Sequence, residues 1–159
     1  MWKGFKEFYA LGLIDSLPQM IGVQAEGAAP LVAAAEKNQI YCEPMKPETI
    51  ADSIAVGIPR DGVKALKAVK ESKGIWLSVS DREILEAIPL LATSTGVLAE
   101  PAGAAAMAGL LKLVRKGKMS RQDRVVVMAT GNGLKDINML IESVNNSPIS
   151  VQNSLDDIE

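Results

Sequence analysis

Short apolar runs alternate along this chain with longer segments that stop on a glycine, and few folds accommodate that alternation. Residues 2–11 have helical spacing and stop at Gly12; residues 61–73 stop at Gly74, 82–95 at Gly96 and 101–116 at Gly117. A glycine just past the last turn can take the left-handed conformation that satisfies orphan carbonyls. Ser80 and Glu83 form an S-x-x-E capping box, Thr49 precedes another helical run, and the alanine-rich residues 27–38 are read as helix. Between these segments, residues 20–24, 74–79 and 125–129 are short and apolar, as strands are, the last most clearly. Residues 41–47, with two prolines, are a loop. Strands alternating with helices predict an α/β fold in three layers, a mostly parallel sheet flanked by helices. Its apolar edges would need cover.

Composition narrows the function classes. A chain of 159 residues suits one core, and with 4% aromatics that core must be built from Ala, Val, Leu, Ile and Met. The net charge of −2 and the lack of a basic run argue against a nucleic-acid partner. No apolar stretch is long enough to cross a bilayer, and residues 1–8 do not form a signal peptide, so no membrane partner and a cytoplasmic location are expected. With no His, imidazole acid–base chemistry and the common hydrolase triads are excluded, and no metal site is expected. The single Cys42 is read as inert.

Two stretches carry the chemistry. Val125-Val126-Val127-Met128-Ala129-Thr130-Gly131-Asn132-Gly133-Leu134-Lys135-Asp136 is a strand running through a Gly-x-Gly turn into a helix. Ligands of open α/β sheets sit at the carboxyl ends of strands, and glycine lets backbone approach a ligand closely. A dinucleotide fingerprint fails, because position 136 is Asp rather than Gly. On spacing alone, a tight turn in which Thr130 bonds its own backbone is the commoner cause. The second stretch, Gly96-Val97-Leu98-Ala99-Glu100-Pro101-Ala102-Gly103-Ala104-Ala105-Ala106, places a carboxylate immediately before a proline at a helix start. A helix dipole favours a negative charge there, which explains Glu100 as well as a ligand role does. The run of small residues indicates close approach of backbone to a neighbour, most commonly another helix.

Taken together, "GVLAEPAGAAAMAGLLKL" and "VVVMATGNGLKD" resemble threonine synthase, a family of fold-type II pyridoxal-phosphate (PLP) enzymes. "WKGFKEFYALGLID", "IGVQAEGAAPLV", "ALKAVKES" and "VSDREILEAI" agree in order, so the resemblance covers essentially the whole chain. It implies the conversion of O-phospho-L-homoserine and water into L-threonine and phosphate, with PLP as the electron sink. It implies that Thr130 contacts the pyridine nitrogen, and that Gly131 and Glu100 lie beside the cofactor. Asn132 departs from the family's usual His, "EPAGAA" also occurs in serine/threonine dehydratase relatives, and "IAVGIPRD" differs from the commoner form.

The resemblance also implies what the chain lacks. The Schiff-base lysine and the Gly/Asn-rich phosphate loop would lie upstream of Trp2, so no catalytic residue is expected among these residues. Lys73 and Lys135 are read as surface or structural lysines. Residues 1–144 are then part of the PLP-binding large domain, and 145–159 a loosely packed C-terminal tail. The expected partners are the missing N-terminal half of the enzyme, a small-molecule substrate and further copies of the chain in a homo-oligomer. The alternatives are a fragment of a dehydratase-like PLP enzyme and a non-catalytic remnant or interaction subunit. On this reading the chain alone neither binds PLP specifically nor turns over substrate. Borohydride reduction after incubation with PLP should label lysines in scattered fashion and at low stoichiometry; stoichiometric labelling of one lysine with phosphate release would reject the reading.

Overall fold

A computed structural model describes residues 1–144. Helix α1 spans Trp2–Ala10, strand β1 Ile21–Ala25, helix α2 Pro30–Glu36 and helix α3 Gly62–Glu71. Strand β2 spans Ile75–Val79, followed by α4 (Asp81–Thr95), α5 (Pro101–Arg115) and α6 (Ile137–Val144). Among the described residues no helix is long and apolar enough to cross a membrane. The expected tail, 145–159, lies outside them.

The layers follow from the period of two along a strand. β1 and β2 pair in parallel with Ile21 opposite Ile75, Val23 opposite Leu77 and Ala25 opposite Val79. Val23, Ala25 and Val79 join the core made with Ile84, Ile88 and Leu91 of α4 and Ala104, Ala105 and Ala108 of α5. The alternate residue Trp76 packs instead with Leu31 and Ala34 of α2 and Leu66 of α3. Gln24, on the same alternation, accepts hydrogen bonds from the N–H groups of Leu31 and Val32 at 2.8 and 3.1 Å, satisfying orphan donors of α2. Helices thus cover both faces. Gly109 of α5 allows a close approach to the sheet, since a Cβ there would come within 2.6 Å of Val23.

Three expectations need correction. The sheet of the described residues has two strands, not three: residues 125–129 run without ladder bonds. A parallel strand needs a neighbour beside it, and no described segment supplies one, so Val126 is left 85% exposed. The helical run expected after Thr49 is a single 3₁₀ turn, Asp52–Ile54. The Thr49 hydroxyl donates instead to the Asp81 carboxylate, which also accepts from the Ile50 N–H at 3.1 Å. Gly12, Gly96 and Gly117 end their helices with positive φ as expected, but after α3 it is Lys73 that is left-handed, with φ 56°. Gly74 meets a different demand there: a Cβ would lie 1.8 Å from the Met20 carbonyl oxygen.

The capping box is present. Ser80 Oγ accepts from the Glu83 N–H at 3.2 Å, and Glu83 Oε2 accepts from the Ser80 N–H at 2.8 Å and from Lys112 Nζ of α5 at 2.9 Å. Burial pushes the Glu83 pKa up, but the Ser80 N–H and the Lys112 ammonium outweigh it and hold the pKa below the ordinary carboxylate value. A lowered folded-state pKa means stability that is present above the unfolded value and lost as pH falls through the folded one. Ser80→Ala should destabilise the chain by about 1 kcal/mol. Glu83→Gln should flatten the acid limb of a melting-temperature profile below about pH 4.5 while the wild type falls there; parallel acid limbs would refute the assignment.

Candidate functional site

Two motifs some thirty residues apart meet at the start of α5. The Glu100 N–H donates to the Gly131 carbonyl at 3.0 Å and the Gly133 N–H to the Leu98 carbonyl at 2.9 Å, with Ala99 bridged antiparallel to Asn132. This short clamp satisfies buried backbone groups that neither segment could satisfy alone. Pro101 opens α5, where its missing N–H costs nothing and its fixed φ suits the helix.

Glycines set how closely the motifs approach. A Cβ at Gly103 would lie 2.9 Å from the Gly131 carbonyl oxygen and 3.0 Å from its nitrogen. A Cβ at Gly131 would lie 2.1 Å from Glu100 Oε1. The small residues of this stretch therefore serve two contacts: Gly109 meets the sheet, and Gly103 meets the turn that carries Thr130.

Of the three candidate residues, Glu100 and Gly131 are in contact and Thr130 precedes Gly131 in the chain, while a small cleft beside them is lined by Glu100 but not by Thr130 or Gly131. Glu100 is 7% exposed and occupies the N-cap position of α5, but its side chain caps no N–H group. Its carboxylate faces Lys135, with Nζ 3.1 Å from Oε2, so the charge is answered by a cation as well as by the helix start. Thr130 is exposed, and the side-chain hydrogen bonds around it belong to Asn132 and Lys135. The self-bonded turn that spacing alone favoured is thus built by another residue: Asn132 Oδ1 accepts from the Leu134 N–H at 2.9 Å and caps the 3₁₀ turn Gly133–Lys135.

Two residues that the sequence reading did not connect with Glu100 meet beside it. Lys135 is no free surface lysine, for it contacts Glu100 and donates to Ser53 Oγ at 2.8 Å. Ser53, far away in sequence, gave no signal at all. Lys73 lies at the end of α3, as expected of a structural position.

A cleft of about 90 Å³ opens here, lined by Ser53, Glu100, Pro101, Lys135 and Asp136 among others. Enclosed small-molecule sites are usually about 300–1,000 Å³, so this cleft by itself does not enclose a ligand of that kind. A larger cleft of about 570 Å³ lies between α2, α3 and β2, with Val32, Leu66, Ile75 and Trp76 in its lining, and shares no residue with it. The polar side chains of Asp52, Ser53, Glu100, Lys135 and Asp136 converge at the smaller cleft.

The family model described as "Pyridoxal-phosphate dependent enzyme" matches residues 1–131. Threonine synthase of Methanocaldococcus jannaschii is 46% identical over 153 residues, 96% of this chain and 38% of that protein. Threonine synthase of Mycobacterium bovis is 47% identical over 152 residues, 94% of this chain and 40% of the relative. The chain thus spans about 40% of the length of the curated relatives it matches. Among solved structures, a T.th. threonine deaminase matches with a TM-score of 0.52 and 26% identity, over 69% of this chain and 38% of that one. The processed form of threonine deaminase isoform 2 from Solanum lycopersicum matches with a TM-score of 0.66 at 20% identity, over 91% and 40%, a likeness of fold.

The clamp makes a quantitative expectation. Gly131→Ala should destabilise the chain by roughly 1–3 kcal/mol through overpacking against Glu100. In a double-mutant cycle with Glu100→Ala, read by denaturant unfolding, the two losses should be clearly less than additive. Strict additivity would show that the two residues do not touch.

Proposed function

The chain belongs to the pyridoxal-phosphate dependent enzyme family, and from that footing we propose that it is the C-terminal part of a threonine synthase, acting together with the complementary N-terminal part. The observation that carries the proposal is the exposed Thr130 at the end of an extended run, next to the Gly131 turn that packs on Glu100. Homology to threonine synthases over nearly all of the chain supports the choice within the family.

The residues present fit one side of a flat cofactor. Gly131 and Gly103 let the turn pack directly on the start of α5, and Thr130 beside them is exposed. Bound PLP supplies an electron sink for bonds broken around the substrate's α-carbon. Thr130 would hold it by a hydrogen bond from its hydroxyl to the ring nitrogen. A neutral hydroxyl, unlike a carboxylate, leaves that nitrogen without a proton, which tempers the sink and limits side reactions. Gly131 keeps methyl groups out of the turn, and Glu100 adds a negative charge behind it. The lysine that would bind the cofactor's aldehyde and the N–H donors for its phosphate belong to the complementary part, so this chain alone is proposed to be inactive.

Exposed apolar surface supports that partnership. Val125, Val126 and Met128 form an extended run with unpaired backbone, a ready seam for another strand. Phe8 and Leu11 on and after α1 are also exposed, and α1 buries none of its residues. Without its partner the chain is expected to self-associate through the same seam.

A second reading, a threonine/serine dehydratase-like enzyme, draws on the 26% identity with the T.th. threonine deaminase. Co-expression with the segment that precedes the matched region in the Methanocaldococcus jannaschii homologue separates the readings. Phosphate and threonine formed from O-phospho-L-homoserine would support the first, 2-oxobutanoate and ammonia formed from threonine the second. Neither activity in a stable complex would point to a non-catalytic remnant. In the active complex Thr130→Val should weaken PLP binding by about 1 kcal/mol, roughly fivefold, with the melting temperature of the cofactor-free protein unchanged. Unaltered PLP affinity and rate would remove Thr130 from the site.

A further inference from the structure

Lys135 has no part in the function proposed above, yet its contacts set it apart from the other lysines. Its backbone belongs to the turn that follows Thr130 and Gly131, and its side chain is 62% exposed along most of its length. Its ammonium nevertheless ends between two distant segments, 2.8 Å from Ser53 Oγ and 3.1 Å from Glu100 Oε2. The Glu100 side chain is only 10% exposed, and Lys135 is its one ionic partner among the described residues.

A carboxylate so far withdrawn from water needs a partner, or it turns back toward solvent. The rotamer of Glu100 is crowded from the other side, since Oε1 lies against Gly131 where even a Cβ would not fit. Asp52 and Asp136 line the same small cleft. Without the ammonium, three acidic residues would border it, and their mutual repulsion would favour an outward swing of Glu100. The chain length of lysine and the hydroxyl of Ser53 together fix where the positive charge sits.

We propose that Lys135 is a positioning residue: anchored on Ser53, its ammonium holds the Glu100 carboxylate against the backbone of Gly131. The turn that carries Thr130, the start of α5 and the Asp52–Ile54 segment are thereby tied at one point. The tie is a property of this chain; its consequence for cofactor binding rests on the reading of Thr130 and Glu100 given under the proposed function.

The test compares Lys135→Met, which keeps length without charge, with Lys135→Arg, which keeps charge. In the ¹⁵N-labelled chain, Lys135→Met should shift the amide resonances of Glu100, Gly131 and Asn132 and leave those of Leu31 and Leu66 in place. Lys135→Arg should return the three toward their wild-type positions, which loss of packing alone would not predict. Unmoved resonances in Lys135→Met, or equal displacement in both variants, would overturn the proposal. In the assembled enzyme, PLP titration should show affinity reduced about tenfold in Lys135→Met and largely restored in Lys135→Arg. Shifted resonances with unchanged PLP affinity would uphold the tie and count against the reading of Glu100 as a cofactor-site residue.

Discussion

The contact between Glu100 and the Gly131 turn governs how the two halves of the site meet. Backbone bonds from Glu100 to Gly131 and from Gly133 to Leu98 bring a helix start and a strand end side by side. The approach is close at both glycines: a Cβ at Gly103 would meet the backbone of Gly131, and a Cβ at Gly131 would meet the end of the Glu100 side chain. Closeness of this kind stiffens the meeting at Gly103, where an added side chain must displace backbone; at Gly131 it would push aside the Glu100 carboxylate instead. It also removes Glu100 from water, which creates the need for a cation nearby.

Behind this contact, α5 is held by its small residues. Ala104, Ala105 and Ala108 lie in the core with Ile84, Ile88 and Leu91 of α4, and Gly109 admits Val23 of β1. Alanine and glycine lose little side-chain entropy on burial and let helix and sheet come close, so the position of Pro101 and Glu100 is set by packing along the whole helix. The Lys112–Glu83 pair joins the same two helices near the start of α4 and reinforces its capping box. The site end of α5 is thus supported by an apolar core and by a polar bond to its neighbour.

The outer surface has a different character. Residues 125–129 are extended and apolar but carry no ladder, and the sheet among the described residues stops at two strands. A run of N–H and C=O groups without ladder partners among the described residues, next to valine side chains, is a poor surface to leave in water. Its position, leading directly into Thr130, means that whatever pairs with it would also steady the hydroxyl that the proposed function depends on.

Local signals were legible in the sequence because they depend on neighbours a few residues away. The S-x-x-E box, the left-handed glycines at Gly12, Gly96 and Gly117, the proline at the start of α5 and the parallel α/β alternation are of this kind. The motifs around Glu100 and Thr130 were visible too, and the family resemblance implied a place for both beside a cofactor. What the sequence could not show was set by contacts between distant segments. Lys73 rather than Gly74 turns left-handed because Gly74 must pass the Met20 carbonyl. Thr49 bonds Asp81 instead of starting a helix. Residues 125–129 remain unladdered because β-structure is a property of a pair, not of a segment. Lys135 reads as one more lysine after a turn until Ser53 and Glu100, 82 residues away on one side and buried on the other, are brought within reach of its ammonium. Only the tertiary structure decided that meeting, because no local rule fixes the direction of a long, flexible side chain.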